Sequence, residues 1–205
     1  MKRGLLTYIM LIIFSTAAIG KGHNSDMPRF TFGAEWAYGA TLFFSEHHYF
    51  LTPDGFREEI DEDRFGYDTD GEVSMHFGYN INRNWNLSLH FGYTSIGDFH
   101  RAVPVSVRAT RYFGDNPLKD RWFTFVDLGS GVSIRKDPKG IATGKIGGGY
   151  RFSLSRYSKL DFLVSLRGIY THPQTIYYGE PINRKDVFRD NGFICGLSLG
   201  IGLTF

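Results

Sequence analysis

The chain closes on GFICGLSLGIGLTF, Gly192 to Phe205, a stretch that alternates with a period of two. Phe193, Cys195, Leu197, Leu199, Ile201, Leu203 and Phe205 fall on one face, and Ile194, Gly196, Ser198, Gly200, Gly202 and Thr204 on the other. Successive side chains of a β-strand point to opposite sides, so this reads as a strand with one large apolar face and one face of mostly very small residues.

The arrangement recurs upstream. WNLSLHFGYT sets Trp85, Leu87, Leu89, Phe91 and Tyr93 against Asn86, Ser88, His90, Gly92 and Thr94, and Glu72 to Ile81 sets Val73, Met75, Phe77, Tyr79 and Ile81 against Ser74, His76, Gly78 and Asn80. Phe30 to Phe44, Arg101 to Phe113, Arg121 to Ile134, Ala142 to Leu154 and Leu160 to Thr171 alternate less cleanly. These segments predict an all-β fold of eight antiparallel strands. The links Asn82 to Asn84, Gly114 to Asp120 and Ser155 to Lys159 alternate with Ser45 to Gly71, Ser95 to His100, Arg135 to Ile141 and His172 to Asn191. Two of the second set are very long, which a compact soluble domain rarely tolerates but the outer loops of an up-and-down membrane barrel do.

Composition narrows the class. A chain of 205 residues makes one domain of ordinary size. Its 25 glycines follow no G-X-Y repeat, and 19 Phe, 12 Tyr and 3 Trp are too many for a disordered chain. Lys plus Arg number 23 against 21 Asp plus Glu, scattered along the chain, which disfavours a nucleic-acid partner. The single cysteine, Cys195, excludes an intramolecular disulfide framework and a clustered cysteine zinc site.

At the start, Met1-Lys2-Arg3, the apolar run Leu5 to Phe14 and the small residues Ser15 to Ala18 have the layout of a secretory signal. The expected organisation is a signal peptide over residues 1–20 and a barrel domain over 21–205.

The polar strand face decides the orientation. Besides Gly, Ser, Thr and Asn it carries Glu35, His76, His90, Arg108, Asp127, Arg151, Asp161 and Arg167. Turned inwards, its small residues leave room for paired charges, and the large apolar face meets lipid. Closure then removes every sheet edge, as hydrocarbon demands. Trp85, Trp122, Phe113 and Phe205 at one set of strand ends, and Tyr93 and Tyr170 at the other, form two aromatic girdles.

On these features the chain resembles the small eight-stranded outer-membrane barrels of Gram-negative bacteria. The final strand ending in Phe205 is similar to the C-terminal signal of such proteins, and VPVSVRATRYFG, Val103 to Gly114, resembles a strand of barrel proteins of the Bacteroides group. The resemblance implies an outer-membrane location with both termini periplasmic, and a monomer. It implies contact with outer-membrane lipids, lipopolysaccharide and the barrel assembly machinery. It does not assign a reaction, since this superfamily holds structural barrels, adhesion proteins and lipid A modifying enzymes.

An enzyme needs a nucleophile, a base and an orienting group within reach. The candidates are Ser45-Glu46-His47-His48, Ser74 with His76, Ser88 with His90, and Thr171-His172. Barrel-type lipid A deacylases place a serine and histidine two apart on one strand facing the membrane. Ser88 and His90 have that spacing, but alternation points them into the lumen. An apolar lumen patch of Phe43, Phe123, Phe125, Leu163 and Ile169 is the feature an acyltransferase would use, but simple space-filling explains it better. His47 and His48 with Glu46, Glu58, Glu59, Asp61, Glu62 and Asp63 could catch a cation, but neighbouring strand residues diverge and no ligand spacing recurs. Asp61 to Gly71 lacks the spacing of a calcium loop, and Gly147-Gly148-Gly149 lacks the helix of a phosphate loop.

No catalytic, metal or cofactor site is therefore expected. The interior charges read as a plug of Glu35, Arg108, Asp127, Arg151 and Arg167, with His76 and His90 completing hydrogen bonds. The functional expectation is an outer-membrane scaffold or surface-binding protein acting on an unidentified ligand through its outer loops. The alternative is an outer-leaflet lipid A deacylase or acyltransferase.

Overall fold

The computed structural model describes residues 28–96, 100–114, 116–134, 138–173 and 175–205. The signal expected over residues 1–20 lies outside them. The described chain folds into β1 (Phe30–Leu51), β2 (Arg57–Asn80), β3 (Trp85–Ile96), β4 (His100–Tyr112), β5 (Arg121–Ser133), β6 (Gly140–Ser153), β7 (Lys159–Thr171), the two-residue strands β8 (Ile176–Tyr177) and β9 (Glu180–Pro181), and β10 (Val187–Thr204). All long strands pair antiparallel with their sequence neighbours, and β1 closes onto β10 to complete an eight-stranded barrel. Among the described residues no helix is long and apolar enough to cross a membrane.

The predicted strands match the long elements to within a few residues, except where β1, β2 and β10 run on. Ser45 to Gly71 is not a loop. β1 and β2 stay in register through Leu51 opposite Arg57, so the segment is a hairpin standing above the barrel and turning at Thr52 to Phe56. Within His172 to Asn191, β8 and β9 form a small hairpin, and β10 begins at Val187 against Phe50.

A bulge explains a second departure. Between Thr41 and Phe43 the register of β1 shifts against both β10 and β2. The extra residue, Leu42, turns every later side chain of β1 over. Phe43, expected in the lumen, therefore lies outside against Phe65, with ring centroids 5.2 Å apart. Phe44, expected outside, is buried in the lumen with Ala102, Ile141, Ile169 and Ile194.

Elsewhere alternation sets the faces as read. Outward residues such as Leu87, Val126, Leu166 and Leu199 are exposed, while Ser88, Asp127, Arg167 and Ser198 opposite them are buried. At the end holding both termini the outer aromatics touch in a belt: Trp122 on Tyr150 (4.9 Å), Tyr150 on Phe152 (4.8 Å), Phe152 on Phe162 (5.7 Å) and Phe32 on Phe205 (5.4 Å).

The glycine triplet serves packing. Gly147 and Gly149 face the lumen directly opposite Phe125 and Phe123. A Cβ on Gly149 would stand 2.0 Å from the Phe162 carbonyl and 2.7 Å from the Phe123 ring, so the rings of β5 lie over bare backbone of β6.

In lipid vesicles, Leu199→Arg and Leu87→Arg are each expected to destabilise the barrel by about 2–4 kcal/mol near mid-depth. Leu199→Val is expected to cost below about 1.5 kcal/mol. Reversible urea unfolding measures both. Parental stability of the arginine variants would mean that this face does not meet hydrocarbon.

Candidate functional site

Following β1 from the termini outwards, the lumen is filled in layers by Thr31, Gly33, Glu35, Ala37, Gly39 and Thr41, and beyond the bulge by Phe44, His48 and Phe50. The lowest charged layer is built on a ring. Arg121 and Arg151, direct neighbours on β5 and β6, stack on Tyr112 at 4.0 and 4.5 Å. Two guanidiniums on one aromatic face the ring quadrupole favourably and are held apart by it. Arg151 donates two 2.6 Å hydrogen bonds to Asp161 on β7 and a third, 3.3 Å long, to Thr204.

The central layer holds Arg108. Its Nε donates to Asp127 at 2.9 Å, and its two terminal nitrogens reach across the lumen to Glu35 at 2.6 and 3.3 Å. The guanidinium lies 4.4 Å over Phe125. All three charged residues are at most 8 % exposed. A forked guanidinium bonding two carboxylates at once is what makes burial of these charges affordable. Beside it the rings of His76 and His90 stack at 5.0 Å. His90 Nε2 contacts Ser88 Oγ at 3.1 Å and His76 Nε2 contacts Thr204 Oγ1 at 3.4 Å.

The next layer contains two more pairs across the lumen, Lys145 with Glu72 and Arg167 with Asp70. Thr41 donates to Asp70 at 3.0 Å. Above them the Phe44, Ala102, Ile141, Ile169 and Ile194 cluster shuts the lumen, as Tyr112, Phe123, Phe125 and Leu163 line it near the termini. Small voids remain, about 10 Å³ beside Glu72, His90 and Lys145 and about 30 Å³ at the rim near Asn80, Arg121 and Lys159. These sizes suit one or a few waters.

The expected plug is thus resolved into separate pairs. Glu35, Arg108 and Asp127 meet as expected, whereas Arg151 is held by Asp161 and Arg167 by Asp70. The histidines bond hydroxyls rather than the ion pairs. Asp70 was hidden because its segment reads as a loop, and Glu72 because it stands at a strand start. The apolar patch also divides: Phe123, Phe125 and Leu163 share one cluster, Ile169 belongs to the other, and Phe43 is outside.

Among the described residues the catalytic candidates stand at separate places in the barrel. Ser88 and His90 touch but are 5 % exposed inside the lumen, and among the described residues the His90 Nδ1 has no hydrogen-bond partner. Ser74 and His76 face the lumen too. His48 points inwards to Thr175 at 3.0 Å, and His172 bonds Asp190. His47 points out, where the β1–β2 register sets it beside Asp61 and 3.4 Å from Glu59. His47, Glu59 and Asp61 are the set of residues, among those described, that could hold a cation. They lie 12 and 14 positions apart across a hairpin, which no local motif reveals.

The outer-membrane protein OprG of Pseudomonas aeruginosa superposes with a TM-score of 0.50 at 10 % identity, covering 89 % of this chain and 99 % of that one. The fold is that of the eight-stranded outer-membrane barrels. Neisserial surface protein A aligns at a TM-score of 0.49 and 13 % identity over 86 % of this chain and 97 % of that one. No protein-family model matches the chain, and no curated protein sequence does.

Removing Arg108 leaves two buried carboxylates facing each other, so Arg108→Met is expected to destabilise the barrel by about 3–5 kcal/mol in urea unfolding. Stability within about 1 kcal/mol of the parent would mean that the charges are hydrated. In planar bilayers the parent is expected to show little or no conductance, and a steady open channel would contradict the packed lumen.

Proposed function

We propose that this protein is an outer-membrane barrel without catalytic chemistry, whose work is done by a structured platform on its extracellular end. The observation that carries this reading is that the long connections are built rather than loose. β1 and β2 rise together beyond the bulge, and β10 joins them from Val187. Residues 175–183 pack against their inner side through His48 on Thr175 and Phe50 on Tyr177, with ring centroids 5.6 Å apart. A platform fixed by three strands holds a binding surface with little entropy left to lose. Among the described residues the lumen is filled by ion pairs and two apolar clusters, which supports the same reading.

Outer-membrane placement is supported by the apolar outer wall and the aromatic belt at the terminal end. Termini in the periplasm are part of the same reading, supported by the even strand count and by short turns such as Asn82 to Asn84. Export by a signal over residues 1–20, insertion by the barrel assembly machinery, a monomeric state, and contact with lipopolysaccharide and outer-membrane lipids belong to the same reading. The likeness of Val103 to Gly114 to a strand of Bacteroides-group barrels supports an origin among such bacteria. Ser88 and His90 then serve the lumen's hydrogen bonding and not lipid A chemistry.

The platform is tested by labelling. In a Cys195→Ala background, Asp54→Cys at the hairpin tip is expected to react with a membrane-impermeant maleimide on intact cells. Labelling that appears only after the outer membrane is permeabilised would place the platform on the other side.

A further inference from the structure

β2 has a paired strand on both sides only from Glu72 to Asn80. From Arg57 to Gly71 it pairs with β1 alone among the described residues. Among the described residues no strand takes up the backbone N–H and C=O groups of its other edge, the usual template for strand addition. This edge starts at a built stop. Ser95 Oγ accepts the Gly71 N–H at 3.1 Å and donates to the Gly71 carbonyl at 3.4 Å, so that one hydroxyl terminates the β2–β3 ladder.

Glu58, Glu59, Asp61, Glu62, Asp63 and Asp68 stand along the edge against Arg57 and Arg64. Residues 61–67 are all exposed. Asp61 and Glu59 share the outer face with His47, whereas Glu58 and Glu62 occupy the other face, so the carboxylates flank the edge on both sides. Such charges guard an edge against indiscriminate pairing. They also select among partners. A second copy of this strand would set carboxylate against carboxylate at cross-strand distance, which is repulsive. A strand carrying cations on both faces meets the opposite charge on each.

We propose that the Arg57–Gly71 edge of β2 is a docking edge for an extended, lysine- and arginine-bearing segment of another protein, which adds to it as a strand. This rests on the platform reading and names the chemistry of its partner. Backbone hydrogen bonds supply the affinity and the carboxylates supply the selectivity.

The test uses the full barrel in nanodiscs of zwitterionic lipid. The probes are a labelled peptide of about ten residues, a usual strand length, alternating Lys or Arg with Thr and Val, the same peptide N-methylated at alternate residues, and a version with Glu for each cation. Fluorescence anisotropy is expected to show binding of the basic peptide, a loss of about tenfold or more on N-methylation, and no binding of the acidic peptide. Hydrogen exchange is expected to slow within residues 57–71 when the basic peptide binds. The Glu59→Lys, Asp61→Lys, Glu62→Lys triple variant, altered only at surface positions, is expected to lose binding while keeping its heat-modifiable gel shift.

No binding of the basic peptide, equal binding of the N-methylated one, or undiminished binding to the triple variant would overturn the proposal. Surface labelling of Asp54→Cys decides the platform independently. Positive labelling without peptide binding removes the docking edge and leaves the platform. Peptide binding in nanodiscs without labelling on intact cells keeps the edge and removes the extracellular placement.

Discussion

Closure of the sheet, where β1 pairs with β10 from Gly33 opposite Thr204 to Phe50 opposite Val187, is the constraint on which the structure depends. In hydrocarbon each unpaired backbone group costs several kcal/mol, and a ring leaves no edge within the barrel wall to supply one. Once closed, the wall gives each side chain two destinations, lumen or surroundings, in an alternation that the bulge at Leu42 interrupts. The surroundings receive Leu, Val, Phe and Trp. The narrow lumen must then take everything polar, including charges that are costly to bury alone.

The interior answers that demand by pairing. Arg108 joins β4 to β1 through Glu35, while Lys145 and Arg167 join β6 and β7 to β2 through Glu72 and Asp70. These contacts cross the lumen between strands that are not neighbours in the sheet, so they brace the barrel in directions that the ladder does not. Small residues facing the lumen provide the room, and the Phe44 cluster shuts the end towards the platform. Interior packing this dense leaves the wall and the projecting strands as the surfaces that can meet another molecule.

Much of this was legible in the sequence because period-two alternation is local. Gly192 to Phe205 and Trp85 to Thr94 show their faces in their own residues, and hydrophobicity decides which face lies outside. What was hidden depends on relations between strands. The bulge at Leu42 adds one residue without any local mark, and it reverses Phe43 and Phe44. The partners of Arg151 and Arg167 depend on barrel shear, which no single strand encodes. The rising part of β2, DEDRFGY, lacks alternation because residues 61–67 are exposed to water on both faces. It therefore reads as a loop, although β1 holds it in register. For the same reason the grouping of His47 with Glu59 and Asp61, and the free edge beside them, could not be read from spacing.

The measurement that bears most directly on the central claim, an apolar wall around a polar paired core, is the set of nuclear Overhauser contacts between side-chain methyl groups and lipid acyl chains in nanodiscs. Methyls of Leu87, Val126, Leu166 and Leu199 are expected to show acyl-chain contacts, and those of Ile141, Leu163, Ile169 and Ile194 none. Acyl contacts at the second set with water contacts at the first would contradict the account and make the chain a soluble barrel with an apolar lumen.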